Sequence, residues 1–415
     1  MNVLIVSQYF WPENFRINDV AIGLKERGYE VTVLTGQPNY PTGSFFSGYG
    51  FFKRSRENYC GVEVIRVPLL PRGNGSGWRL VLNYLSFAIV ASLIGPFRCR
   101  ARYDAIFVYA PSPITVAFPA LMLKMLRDIP VVLWVQDLWP ESILATGAIQ
   151  SEIILSVVRC MVRFIYRGCN QVLVQSKAFF SPIQNFGVDL KNIRYFPNSA
   201  EGFYKPISLQ EDAPEQKGVP NGFRIMFAGN IGAAQDFRTI LSAAEKLRTY
   251  GDIHWLILGD GRMAPWVREQ IVTRQLESTV HLLGRHPVES MPRYFSLADA
   301  MLVTLKKEPI FALTVPAKVQ SYLACSKPII AALDGEGARI VKEAHAGLTP
   351  AAEDSDELAE VVLEMYRMSA EERQAIGENG RKYFELNFER NMLLERLDGW
   401  LRDFKSNRGS FDAKL

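Results

Sequence analysis

The chain has 415 residues, 48% hydrophobic and 22% charged, with a net charge of +4. This length and composition exclude a disordered chain and give enough apolar residues for two cores. The mild charge excludes a typical nucleic-acid protein, and five scattered cysteines without a C-x-x-C pair exclude a disulfide framework and point to a reducing compartment.

The sequence opens on a strand pattern, Val3–Ser7, with no basic leader before it, so no signal peptide is expected and the active site is expected to face the cytoplasm. The next loop, Tyr9 to Arg16, lies at the end of that strand, where parallel sheets bind ligands. It offers Glu13 as a catalytic candidate that would orient acceptor or sugar, with Asn14 and Arg16 as acceptor-binding candidates. Helix capping by Asn14 or Glu13 is the alternative. A second strand is expected at Val31–Thr35.

Residues Trp78 to Arg102 are apolar and basic. Leu80 to Phe97 falls short of the ~20 apolar residues of a bilayer span and is interrupted by Asn83, two serines and Gly95-Pro96. With Arg79, Arg98, Arg100 and Arg102 at its ends, it reads as a helix lying at a membrane interface. Ser151 to Gly168 is similar, with Arg159, Arg163 and Arg167 spaced by four. A pair of core helices with solvated basic ends is the alternative.

Further strands are expected at Ala105–Tyr109, Val131–Gln136 and Val172–Gln175. The fourth ends in Gln136-Asp137-Leu138-Trp139-Pro140-Glu141. Asp137 is a strand-end carboxylate, a catalytic candidate. Trp139 and Glu141 are acceptor-binding candidates, since an aromatic beside a carboxylate suits a sugar ring.

Lys205 to Gly222 is polar and rich in Pro, Gly and acids, and reads as an interdomain linker. Beyond it the βα alternation restarts, with strands at Arg224–Ala228, Ile253–Leu258, Val280–Leu283, Ala300–Thr304 and Pro328–Ala332. Helices are expected near Phe237–Thr249 and Pro316–Cys325. The tail from Glu357 is charged and helical, with breaks near Met368 and Asn387.

The order predicts α/β architecture with two parallel-sheet domains facing across a cleft. In the second half, Gly229-Asn230-Ile231-Gly232 offers free amides to an anion, as does Gly259-Asp260 more weakly. Arg285, past the third of these strands, joins them as a donor-binding candidate. Thr314 as a cap, Pro316 in the first turn and Lys318 read together as a diphosphate site, with Lys318 also a catalytic candidate. Four widely spaced histidines give no ligand spacing, so no metal is expected.

The opening Tyr9-Phe10-Trp11-Pro12-Glu13, the strand through Gly28–Thr35, the Gly229–Gly232 turn and Tyr322-Leu323-Ala324-Cys325-Ser326-Lys327-Pro328 resemble the family 4 glycosyltransferases. Gln136–Glu141 and Val315–Tyr322 look closest to the branch transferring L-fucosamine-type sugars. The resemblance implies a GT-B fold of two Rossmann-like domains, at 1–205 for the acceptor and 206–390 for the nucleotide-sugar, with 391–415 a helix crossing back to the first domain. It implies retaining transfer from a nucleotide-sugar, here a UDP-sugar, without a metal. The acceptor would be a polyprenyl-diphosphate-linked saccharide of O-antigen or capsule synthesis, met at the cytoplasmic membrane surface.

Three departures stand out. The family's glutamate pair falls on Leu313 and Ser321, so Gln320, Ser321 or Glu336 would hold the ribose. The Arg/Lys pair on the diphosphate is missing around Asn230 and Asp236. The first loop has Asn14-Phe15-Arg16 in place of a double glycine. The alternative activity is a nucleotide-sugar 2-epimerase of the same fold. A non-catalytic sugar-nucleotide sensor is a third reading, and a dinucleotide oxidoreductase is disfavoured because no G-x-G-x-x-G follows a strand.

Overall fold

A computed structural model describes residues 1–145, 151–210 and 212–412, without the side chains of 145 and 406–412. The chain divides into two compact units, Met1–Pro197 with Asn391–Leu415, and Asn198–Arg390.

The first unit contains strands β1 (Asn2–Val6), β2 (Glu30–Gly36), β3 (Arg56–Tyr59), β4 (Val62–Val67), β5 (Ala105–Ala110), β6 (Val131–Val135), β7 (Gln171–Val174) and β8 (Ile193–Tyr195). Their order is β3-β4-β2-β1-β5-β6-β7-β8. All pairs are parallel except β3 with β4. Strands β5 and β6 are buried at every residue, as sheets covered by helices on both faces require.

The second unit contains β9 (Phe223–Ala228), β10 (Ile253–Leu258), β11 (Val280–Gly284), β12 (Ala300–Thr304), β13 (Ile329–Ala332) and β14 (Gly347–Leu348), ordered β11-β10-β9-β12-β13-β14 and wholly parallel. In each sheet the strand order reverses once, at β1/β5 and at β9/β12. The crevice beyond the carboxyl ends at such a reversal is where open α/β sheets bind ligands.

Three sequence expectations change. Strands β8 and β14, only three and two residues long, were not expected, nor were β3, which reads Arg-Glu-Asn-Tyr, and β4, which carries an arginine. That residue, Arg66, is fully buried and donates to the Glu57 carboxylate, the Gly36 carbonyl and the Trp11 carbonyl. Second, Lys205 to Gly222 is no free linker. Ala213 is buried, Leu209 and Val219 pack against the second unit's core, and Arg293 donates to both oxygens of Glu215; just before the segment, Ala200 is buried in that same core. The division therefore falls at 197/198 rather than 205/206.

Third, Asn83 does not interrupt an apolar face. The helix Gly77–Arg98 turns Asn83, Phe87, Ala91 and Gly95 inward, and Asn83 is satisfied by Gln8 and the Leu70 carbonyl. The C-terminal helix Arg390–Asp412 buries Leu393, Leu394, Leu397 and Leu401 in the core of the first unit. Residues 413–415 of the expected final segment lie outside the described residues.

Candidate functional site

In the second unit, the loops after β9 and β10 lie against each other. Gly229 N–H donates to the Leu258 carbonyl at 2.8 Å, and Ile231 N–H to the Asp260 carbonyl at 2.9 Å. A methyl on Gly259 would sit 1.9 Å from the Gly229 carbonyl oxygen, and its φ of +145° also demands glycine. These bonds correct the expectation of free amides across Gly229–Gly232. Two of them are spent on loop pairing, which leaves Asn230 and Gly232 to face a ligand. Ile231 contributes only backbone, since its side chain is core. Asp260 is exposed and its carboxylate accepts from Gly261 N–H, so it holds its own turn. Arg285 is exposed just past β11, in the same row of strand ends.

Lys318 comes to this loop from the helix Ala317–Ala324. Its Nζ lies 3.6 Å from the centroid of the Phe227 ring on β9 and has no hydrogen-bond acceptor. A methyl on Gly229 would sit 2.6 Å from Lys318 Cε, so glycine makes room for the lysine. Burial lowers the Lys318 pKa to about 7. An ammonium so placed lacks a counter-charge, and an anion at the Asn230–Gly232 loop would supply one.

The capping expectation is overturned. Thr314 ends the preceding helix Pro309–Leu313 and its hydroxyl donates back to the Ile310 carbonyl. Pro316 is the N-cap of the Lys318 helix, with no side-chain cap. The helix's first amides are thus free of a competing hydroxyl. One turn on, Gln320 is fully buried and neither amide atom has a partner. Ser321 donates to the Ala317 carbonyl. Glu336 opens the helix Glu336–Glu343, and both its oxygens accept from Arg339. That pairing leaves Gln320 as the uncommitted polar group of the three proposed for the ribose.

In the first unit, Glu13 is buried. One oxygen accepts from Asn39 and Tyr40 N–H, both at 2.8 Å, and the other from Phe10 N–H at 3.3 Å. Burial raises its pKa to about 7 despite these donors. Glu13 therefore ties the loop after β1 to the loop after β2, a positioning role rather than the direct one expected. Neither Glu13 nor Asn14 caps the next helix. Phe15 is the N-cap, and Asn18 instead binds the Glu13 carbonyl and Trp11 N–H. Asn14 is exposed, and Arg16 begins the helix.

At the end of β6, Asp137 accepts from the Ser142 hydroxyl, and burial raises its pKa to about 6. Trp139 donates to Ser112 Oγ at 3.3 Å. Glu141 has a buried oxygen without a partner, as does the Tyr166 hydroxyl. Both carboxylates push the Tyr166 pKa up, after the larger effect of burial, so the three groups are neighbours. Tyr166 was invisible in the sequence, being one aromatic on an amphipathic helix.

Among the described residues no three His, Cys, Asp or Glu side chains gather as a metal site. The first unit also carries an apolar surface. The helices Gly77–Arg98, Phe118–Arg127 and Glu152–Gly168 pack side by side. They expose Trp78, Leu85, Ile89, Leu93 and Phe97, then Met125 and Leu126, then Ile153, Val157 and Phe164. Gly77–Arg98 is the one helix among the described residues long and apolar enough to cross a membrane.

Two family models match the chain. One described as "Glycosyl transferase 4-like domain" covers residues 14–199, and one described as "Glycosyl transferases group 1" covers 222–368. WbjE of Pseudomonas aeruginosa, named a glycosyltransferase, is 25% identical over 314 residues, 74% of this chain and 76% of its own. WcaI of Escherichia coli, named for colanic acid biosynthesis, is 23% identical over 341 residues, 78% of this chain and 81% of its own. Among solved structures, a sucrose-phosphate synthase of Thermosynechococcus elongatus superposes with a TM-score of 0.75 at 15% identity, covering 98% of this chain and 99% of that one. HepE of Anabaena, in complex with UDP, gives 0.68 at 16% identity over 97% and 100%. WaaG, a glycosyltransferase involved in lipopolysaccharide biosynthesis, gives 0.65 at 14% identity over 96% and 98%.

Proposed function

This chain belongs to the family 4 glycosyltransferases and has their GT-B fold, and on that premise we propose which sugar it moves, and to what. It transfers a sugar of the N-acetyl-L-fucosamine class from a UDP donor to a polyprenyl-diphosphate-linked saccharide, with retention and without a metal. The second unit holds the donor and the first unit the acceptor.

The carrying observation is the unpartnered Lys318 ammonium beside Gly229. As the sugar bond breaks, negative charge grows on the leaving diphosphate. Lys318, the amides of Asn230 and Gly232, and the start of the Ala317–Ala324 helix are fixed donors for that charge. Uridine is chosen because a solved enzyme of the same fold was captured with UDP. Gln320 takes the ribose, with Arg285 at the outer edge of the strand ends. Asp137, mostly ionised at neutral pH because its pKa of about 6 lies below 7, accepts from and orients the acceptor hydroxyl, with Trp139 and Glu141 against the acceptor sugar. Transfer proceeds on the front face of the sugar, with no glycosyl-enzyme intermediate.

The three-helix apolar surface, rimmed by Arg79, Arg100, Arg159 and Arg163, supports work at the inner face of the cytoplasmic membrane. Donor binding and turnover by Lys318→Ala test the reading. A loss of roughly a hundredfold or more in kcat is expected from removing such a donor. Turnover within a few-fold of wild type would sink the diphosphate assignment.

A further inference from the structure

The loop between β4 and the helix Gly77–Arg98 carries a second cationic site. Arg72 Nη1 donates to the Tyr9 hydroxyl at 2.6 Å, and Arg72 N–H to Asn39 Oδ1 at 3.1 Å. Its guanidinium lies against three rings: Tyr40 at 5.1 Å, and Tyr9 and Tyr84 at 5.9 Å. Tyr9 follows β1, Tyr40 follows β2, Arg72 follows β4 and Tyr84 stands on the helix, so three strand ends converge here.

Among the described residues no carboxylate pairs with Arg72. Glu13, close enough to Tyr9 to influence it, is held by backbone N–H groups. The tyrosines fix the plane of the guanidinium, and most of its fork of donors meets no acceptor. Arg79, on the first turn of the helix, reaches back over this loop: a methyl on Gly73, the residue after Arg72, would lie 2.3 Å from its Nη1. Arg79 also has no carboxylate partner and rests on the Trp78 ring at 5.2 Å. Two guanidiniums without a carboxylate, one in the loop and one on the first turn of the helix that follows it, suit a phosphate or diphosphate, which arginine forks bind bidentately.

The apolar neighbours narrow the ligand. The helix starting at Gly77 exposes Trp78 (62%), just before Arg79, and Val81, Leu82 and Leu85, which follow it. An anion bound at Arg72 would therefore have exposed apolar surface on one side and the sheet's carboxyl edge on the other. We propose that Arg72, caged by Tyr9, Tyr40 and Tyr84 and joined by Arg79, binds the diphosphate of a lipid-linked acceptor, with the prenyl chain along the Gly77–Arg98 helix. This rests on the acceptor class proposed above.

The test is calorimetric binding of farnesyl diphosphate to the full chain, with UDP at saturation to block the donor site. Arg72→Ala is expected to weaken binding roughly tenfold to a hundredfold, with Arg72→Lys intermediate, because a bidentate charge-assisted contact is lost. Arg79→Ala, at an exposed position, is expected to weaken it several-fold and serves if Arg72→Ala fails to fold. Farnesol is expected to bind weakly and alike to all variants. Vesicles of phosphatidylcholine with phosphatidylglycerol separate the sources of phosphate. Equal loss of vesicle binding and farnesyl diphosphate binding in Arg72→Ala would overturn the proposal in favour of a general headgroup contact, and unchanged farnesyl diphosphate binding in both variants would overturn it outright. Failure of sugar transfer to every lipid acceptor would refute the proposed function and leave this binding result standing.

Discussion

Lys318, on which the proposed donor site rests, is a liability to the free protein. Its ammonium is buried against Phe227 and unpaired, so its pKa falls to about 7. Between that value and lysine's ordinary range the unfolded chain binds the extra proton, and the free protein gains stability from this group as pH rises. A diphosphate binds the charged form, so binding above neutral pH must take up a proton. Calorimetry of UDP at pH 8 in buffers of differing ionisation enthalpy is expected to show uptake approaching one proton, absent in Lys318→Met. UDP affinity is expected to fall as pH rises above about 7 in the wild type only. Glu13 is the contrasting case, a buried carboxylate fully used by backbone donors. Glu13→Ala leaves those N–H groups unsatisfied and is expected to cost about 1–3 kcal/mol in denaturant unfolding while leaving UDP affinity unchanged. The sequence singled out both Glu13 and Lys318. It could not assign Glu13 its role, because the Asn39 and Tyr40 amides that fix it lie some 26 and 27 positions away.

Among the elements, the paired loops after β9 and β10 are the most demanding. Gly259→Ala would place a methyl against the Gly229 carbonyl and force the loops apart. UDP binding is expected to drop by at least roughly tenfold while circular dichroism stays native, since the strands themselves are untouched. The helix Gly77–Arg98 is unusual in turning mostly small or polar residues inward, Phe87 apart, and many of its large apolar ones outward. If that face meets a bilayer, Ile89→Asp with Leu93→Asp is expected to abolish vesicle flotation without lowering the melting temperature, because both side chains are exposed. A protein that floats as before would remove the membrane assignment. Apolar composition made this helix legible in the sequence. The neighbouring Phe118–Arg127 helix was not, because its exposed Met125 and Leu126 look like core residues until the fold shows which way they face.

For the whole molecule, the doubled βα pattern was readable because parallel strands buried on both faces leave continuous apolar runs. Of the strands that escaped, β8 and β14 are too short to show a pattern, while β3 and β4 alternate with charges that only their pairing explains, such as Arg66 with Glu57. The Arg72 cage escaped for the same reason: Tyr9, Tyr40, Arg72 and Tyr84 are distant in sequence and joined only at the sheet edge. The final helix matters to the first unit's core, and Leu397→Ala there is expected to destabilise the protein by about 2–5 kcal/mol. The central claim, transfer of a sugar from a UDP donor to a lipid-diphosphate acceptor, is tested most directly by mass spectrometry of a UDP-sugar panel incubated with and without a synthetic prenyl-diphosphate saccharide. The account predicts an acceptor heavier by one sugar residue and UDP released only when acceptor is present. An isomerised sugar nucleotide formed without acceptor, or an acceptor unchanged with every donor, would contradict it.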